Sequence, residues 1–149
     1  MRKLDVKDLE ILGLIQENSK LTSQQISKRT RIPITTVHNR IKKLEEEKII
    51  KQYSVQIDKR KIGKMISAYI LVSVNYPQQH IKRFSQEEIA RKIRQIDGVS
   101  EVAIVAGETD IILKIDLDDI NSLNDFVVNK LRNIDGIDKT RTMVILHEF

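Results

Sequence analysis

The eight residues Lys92-Ile93-Arg94-Gln95-Ile96-Asp97-Gly98-Val99 return 38 positions later as Lys130-Leu131-Arg132-Asn133-Ile134-Asp135-Gly136-Ile137, five of the eight identical. Each copy closes a helical pattern with a glycine suited to the left-handed residue after a helix, and a strand-like stretch follows each. A repeated helix-turn-strand unit demands a fold with internal pseudo-symmetry. The neighbouring elements complete it: a strand over 66–75, a helix over 86–95, strands over 100–106 and 110–117, a helix over 120–133 and a strand over 139–147. Ser85 with Glu88, and Phe84 with Ile89, have the spacing of a capping box and a hydrophobic staple. In the second helix Ile120, Leu123, Val127, Leu131 and Ile134 form one side. The order β-α-β-β-α-β is the ferredoxin-like arrangement. Ile66, Ala68, Ile70, Val72 and Val74 would face its helices. Ser67, Tyr69, Leu71 and Ser73, with Ala103, Val105 and Ile112, would form an open face apolar enough to predict self-association.

Residues 1–60 hold three helical patterns in quick succession. Over 5–17, Val6, Leu9, Leu12 and Ile15 recur every three residues, with Ile11 and Leu14 widening the stripe and Asp5 and Asp8 at the start. Over 23–30, Thr22 and Gln25 have capping-box spacing, and Leu21 and Ile26 staple spacing. After a turn at Arg31-Ile32, Pro33 suits the first turn of a third helix reaching 48, with Val37, Ile41, Leu44 and Lys48 on one line and Ile34 at its edge. At 100° per residue, Thr35, Asn39, Lys42 and Glu46 lie opposite, with Thr36 and Lys43 beside them and His38 and Arg40 nearer the core border. A short helix, a tight turn and a helix with a polar outer face form a helix-turn-helix, whose last helix enters the major groove. Asn39 could bond an adenine edge, Thr35 and Thr36 a base or phosphate, and Lys42, Lys43 and Arg40 phosphates. The alternative is a plain solvated amphipathic helix. Residues 49–57 then read as a strand, with Tyr53, Val55 and Ile57 alternating. The basic run Lys59-Arg60-Lys61 is either a solvated linker or a phosphate contact.

Charge follows the same division. Residues 1–60 carry 14 Lys/Arg and 8 Asp/Glu, and residues 61–149 carry 12 and 13, so the chain's net +5 lies entirely in its first part. A polyanion-binding module joined to a near-neutral one fits this. Hydrophobic residues at 40% suffice for a core, and aromatics at 4% leave aliphatic side chains to build it. With no cysteine, disulfide scaffolds and thiol chemistry are excluded. The charged start Met1-Arg2-Lys3-Leu4-Asp5 does not look like a secretion signal, and no apolar run is long enough for a membrane span, so a cytoplasmic protein without membrane partners is expected. His38, His80 and His147 are scattered, without metal-ligand spacing. No phosphate-cradling loop or nucleophile motif is present, so neither catalysis nor a metal or other cofactor is expected.

The segments Leu4-Asp5…Asp8…Ile11-Leu12, Ile32-Pro33…Val37…Arg40-Ile41-Lys42-Lys43-Leu44-Glu45 and Ile49-Ile50…Tyr53 together resemble the Lrp/AsnC, or feast/famine, regulators, and the likeness runs to the C-terminus. Three positions depart from the family: Arg31 and Lys48 stand where it usually has Gly, and Pro33 where it has Ser. Two of these are turn or helix-end positions, where a non-Gly residue with positive φ would cost on the order of 1 kcal/mol. The resemblance implies a DNA-binding domain over 1–50, a linking strand and hinge over 51–63, and an assembly and effector domain over 64–149. It implies a winged-helix-like DNA module, double-stranded DNA as partner, dimers that can assemble into octamers, and an amino-acid effector.

It also draws attention to Gly107-Glu108-Thr109-Asp110, which resembles the family's Gly-x-x-Asp turn, near which amino-acid effectors bind at a subunit interface, between dimers. Turn N–H groups could hold a carboxylate, Asp110 could pair with an α-ammonium, and Thr140 and Thr142 fall near the family's polar site positions. A plain hairpin turn is the alternative. The functional expectation is a sequence-specific transcription regulator. Its rival is a nonspecific nucleic-acid-binding or chromatin-like protein with a ligand-binding or metabolic ferredoxin-like domain.

Overall fold

A computed structural model describes residues 3–75 and 85–148. The chain separates into two compact units, Met1–Gln56 and Ile57–Phe149.

The first unit contains α1 (Val6–Glu17), α2 (Ser23–Thr30) and α3 (Ile34–Glu46). Two of the three helices begin with reciprocal caps. In α1, Asp5 accepts from the Asp8 amide and Asp8 returns the bond to Asp5; in α2, Thr22 and Gln25 do the same. The core is Ile11, Ile15, Ile26, Ile32 and Val37, with Leu14, Leu21, Ile41 and Ile50 packed against it. The stripe expected on α1 is corrected. Val6 and Leu9 are 79% and 57% exposed, while Asp8, Ile11 and Ile15 are buried. A strict three-residue spacing drifts by about 60° per step around a helix, so it leaves the face that four-residue steps keep.

The helix-turn-helix turn passes through Arg31, at φ 59. Ser27 Oγ donates to the Ile32 carbonyl at 2.6 Å and pins the turn from within. Pro33 stands just before α3, whose end closes at Lys48, with φ 57. The Lys48 amide bonds the Glu45 carbonyl and the Ile49 amide that of Leu44, the two bonds of a left-handed helix stop. This ends α3 at Glu46, short of the expected 48. The strand expected over 49–57 does not form: Tyr53, Val55 and Ile57 are 49%, 71% and 50% exposed, in a segment without strand pairing. Alternating residues are insufficient where no neighbouring strand accepts the ladder bonds.

The second unit carries a short 3₁₀ turn (Arg60–Ile62), then β1 (Ile66–Val74), α4 (Gln86–Arg94), β2 (Val99–Ile104), β3 (Ile111–Leu117), α5 (Ile120–Asp125, continued by π-type winding over Phe126–Leu131) and β4 (Ile137–Val144). The strands form one antiparallel sheet in the order β2-β3-β1-β4, the ferredoxin-like topology. Ala68, Ile70 and Val72 are fully buried with Ile111, Leu113 and Ile115. The other face shows the row Ala103, Ile112, Leu71, Arg141 and the row Glu101, Lys114, Tyr69, Met143. Ser85 caps α4 through the Glu87 amide at 3.2 Å. The expected staple residue Phe84, and His80, lie outside the described residues. Of the side expected on α5, Leu123 and Leu131 are buried and Val127 and Ile134 pack against the core, but Ile120 is 59% exposed and the fully buried Phe126 joins Leu131 instead. Winding with five-residue steps puts those two on one face.

Gly98 and Gly136 have φ 91 and 97 after the two repeated helices. A Cβ on Gly98 would lie 2.6 Å from Leu117 Cδ2. Lys48 and Gly98 thus occupy similar backbone conformations with opposite residue preferences met. Lys48→Gly is expected to stabilise by about 0.5–1 kcal/mol, and Gly98→Ala to destabilise by about 1–2 kcal/mol. Chemical denaturation of the two variants checks both signs.

Candidate DNA-reading helix and ligand cavity

On α3, Thr35, His38, Asn39, Lys42 and Lys43 are exposed and Thr36 is half-buried, while Val37 and Leu44 are fully buried on the opposite side. Lys42 makes a loose pair with Glu46 at 3.9 Å, both about two-thirds exposed, which leaves its ammonium available to a stronger anion. Arg31, expected from the sequence only as a turn residue, adds an exposed cation at the turn.

Arg40 differs from expectation. Its guanidinium turns to the start of α1, where Nη1 donates to both Asp5 oxygens at 2.8 and 2.7 Å and to Asp8 Oδ1 at 2.7 Å. The Asp8 side chain has no solvent exposure. A carboxylate in that position is tolerable because Arg40 holds one oxygen and the Asp5 amide the other. The amide of Asp8, followed by Arg40, holds the Asp5 carboxyl below its ordinary value of 3.8. Arg40 is therefore a clamp between α1 and α3, and its inward placement comes from a buried anion that requires a partner. Asp8→Asn is expected to destabilise the helical unit by about 1.5–3 kcal/mol at neutral pH. Because the Asp5 pKa is lowered on folding, its contribution is present at neutral pH and is lost as pH falls through the lowered value. Denaturation followed by circular dichroism checks both, with Asp8→Asn compared with the wild type at pH 7, and Asp5→Asn compared at pH 7 and in acid, where the wild-type advantage over Asp5→Asn shrinks.

The basic run between the helices and the sheet is tied down within the second unit. Lys59 Nζ lies 3.0 Å from Asp116 Oδ2, Lys64 Nζ lies 2.8 Å from Asp118 Oδ1, and Lys61 pairs with Asp58 at 3.7 Å. Asp116 is 5% exposed. Burial pushes its carboxyl up, but the Ser67 hydroxyl and the Lys59 ammonium outweigh it and hold the group below the usual range.

The Gly107–Asp110 turn joins β2 to β3, and the Val105 amide bonds the Asp110 carbonyl across it. Beside it opens a cavity of about 710 Å³. Of the expected effector residues, Glu108, Thr109 and Thr140 line it. Gly107, Asp110 and Thr142 do not. Asp110 is occupied elsewhere: Oδ2 accepts from the Val74 amide at 2.7 Å and Oδ1 from Gln86 Nε2 at 2.8 Å. It fastens the end of β1 to the start of α4, because the last amide of a strand needs an acceptor. Thr142 stands opposite Ile70, two residues further along β4 than Thr140 opposite Val72. Leu71 and Ser73, expected on the open sheet face, Arg132, expected only as part of the repeat, and Asp138, Lys139 and Arg141, which carry no expected role, complete the lining. Among the described residues, no group of three or more acidic or histidine side chains is placed to hold a metal ion, and no helix is long and apolar enough to cross a membrane.

A helix-turn-helix with an outward polar face, followed by a ferredoxin-like domain with a polar cavity, defines a class: DNA-binding transcription regulators with a ligand-binding domain. Residues 4–51 match the winged helix-turn-helix DNA-binding family, and residues 67–149 the Lrp/AsnC ligand-binding domain. The chain belongs to the Lrp/AsnC family, and is a transcriptional regulator, not an enzyme. An HTH-type transcriptional regulator of Pyrococcus furiosus is 38% identical over 141 residues, covering 95% of this chain and 91% of the relative. The HTH-type transcriptional regulator FL11 of Pyrococcus horikoshii is 32% identical, covering 96% and 89%. Among solved structures, a transcriptional regulator of Neisseria meningitidis in complex with L-Met has a TM-score of 0.87 at 28% identity, covering 98% of this chain and 92% of that one. Escherichia coli AsnC, at 21% identity and a TM-score of 0.83, covering 99% and 95%, shares the fold.

Proposed function

We propose that the protein reads a near-palindromic operator through paired α3 helices, as a dimer or a larger assembly of dimers, and that an amino acid bound beside the Gly107–Asp110 turn modulates it. The observation that carries the reading is the exposed side of α3. It offers an amide at Asn39, hydroxyls at Thr35 and Thr36, His38, and ammonium groups at Lys42 and Lys43, on a helix fixed from behind by Arg40. Asn39 is assigned a base edge and the lysines phosphates. Self-association is supported by the half-buried Leu71 and Ile112 on the open sheet face, beside Tyr69 and Met143 at 37% and 45% exposure. The effector is supported by the cavity and by the L-Met held by the Neisseria meningitidis relative.

Selection of binding sites from random duplex DNA tests the core of this reading. A short inverted repeat with half-sites about one helical turn, or a multiple of it, apart is expected. Enrichment of nothing would favour a nonspecific, chromatin-like binder. Asn39→Ala is expected to cost about 1–3 kcal/mol on the selected site and to relax one base position per half-site. Lys42→Ala or Lys43→Ala should weaken all sequences alike and reduce the salt dependence of binding. For assembly, Ile112→Lys in the full chain should shift sedimentation toward the monomer, since it would bury an unpaired charge.

A further inference from the structure

The cavity beside the Gly107–Asp110 turn has a charge pattern that its ligand must match. We propose that the effector is a dicarboxylic amino acid, with a second carboxylate on its side chain; this rests on the effector reading above and specifies its chemistry.

Five charged side chains line the cavity: Arg132, Lys139 and Arg141 against Glu108 and Asp138. None of the five is ion-paired with another, and Lys139 and Arg141 have no ion-pair partner among the described residues. Opposite charges that line one space without neutralising each other are available to a third party. The zwitterionic part of an amino acid brings one ammonium and one carboxylate. The ammonium has Glu108 and Asp138 to meet, and one carboxylate leaves the cationic side in excess. A second carboxylate uses that excess, and an arginine fork can hold it with two parallel bonds. Within one protomer an aliphatic side chain would find Leu71 as the only aliphatic lining residue and would desolvate charged groups without replacing their hydrogen bonds.

The internal repeat supplies a second, independent observation. Arg94 and Arg132 are the same residue of the two copies. Arg94 is the last residue of a regular helix and donates from Nη1 to the Val99 carbonyl at 2.9 Å, across the turn that follows. Arg132 follows the π-type winding, and its amide reaches five residues back to Val127. Its side chain reaches Thr140 through Nε, at a long 3.4 Å, and lines the cavity. Among the described residues the Arg132 side chain thus makes no bond to the carbonyl of its own turn and is left to a ligand.

Isothermal titration calorimetry of the full-length protein with each of the twenty standard amino acids tests the proposal, the decisive comparison being L-glutamate and L-aspartate against L-glutamine, L-asparagine, L-leucine, L-methionine and L-lysine. A dicarboxylic amino acid is expected to bind at least about tenfold more tightly than its amide counterpart, the scale of one lost charged hydrogen bond. Arg132→Gln and Arg141→Gln should each weaken it by a similar factor. Arg94→Gln should leave the affinity unchanged and lower the unfolding temperature. A neutral or basic amino acid binding as tightly as glutamate or aspartate, or arginine variants with undiminished affinity, would overturn the dicarboxylic assignment and leave the effector reading standing. If all twenty amino acids fail to bind, the effector reading falls as well.

Discussion

Left-handed backbone at the ends of helices sets the course of this chain. Arg31 turns α2 into α3, Lys48 turns α3 into the linker, and Gly98 and Gly136 turn the two helices of the sheet domain into β2 and β4. In each place a positive φ lets the chain leave a helix and return across its own core. The glycines adopt it freely. Arg31 and Lys48 cost about 1 kcal/mol each by comparison. That cost is offset by the bonds that close the turns, from Ser27 to the Ile32 carbonyl and from Ile49 to the Leu44 carbonyl, and by the burial of Ile32 and Leu44.

The features that were legible in the sequence are those whose cause is local or strictly periodic. The start of α2 follows from two reciprocal bonds between Thr22 and Gln25, four residues in all. The alternation Ala68, Ile70, Val72 needs only a covered sheet face, and the 38-residue repeat announces the β-α-β duplication. The misplaced features have causes elsewhere in the chain. Residues 49–57 alternate like a strand, but pairing is a property of two strands. Phe126 was passed over because the helix changes its winding there. Asp110 stands at a motif position, yet its carboxylate answers to Val74 and Gln86, which are 36 and 24 residues away in sequence. The cavity cations Arg132, Lys139 and Arg141 carry no spacing signal, since they converge from a helix end and one strand.

Not all of the positive charge in the first unit faces outward to a partner. The excess of cations there includes some that hold the fold together. Arg40 is committed to Asp5 and Asp8, just as Lys59 and Lys64 in the second unit are committed to Asp116 and Asp118. Those facing solvent from the reading helix and its turn are fewer: Arg31, Lys42 and Lys43. The proposed DNA contact draws on this smaller set, and the committed cations fix the helix that carries it. A buried acid such as Asp8 acts on that helix through Arg40.

The five-residue winding over Phe126–Leu131 has a consequence for how duplicated chains diverge. One additional residue in a helical turn rotates everything after it by roughly 100° relative to uninterrupted α-helix. The two halves of the sheet domain keep matching sequence at Lys92–Val99 and Lys130–Ile137 and the same burial along it, with Ile93 and Leu131 inside and Ile96 and Ile134 half-buried, so the rotation falls on the residues that precede the motif. Upstream residues at equal distance from the motif then look out on different surroundings. A repeat can in this way break its own symmetry, and make one half chemically unlike the other, while the conspicuous motif stays as it was. Likeness between the copies reports where the backbone goes; the rotation that precedes it decides what the side chains meet.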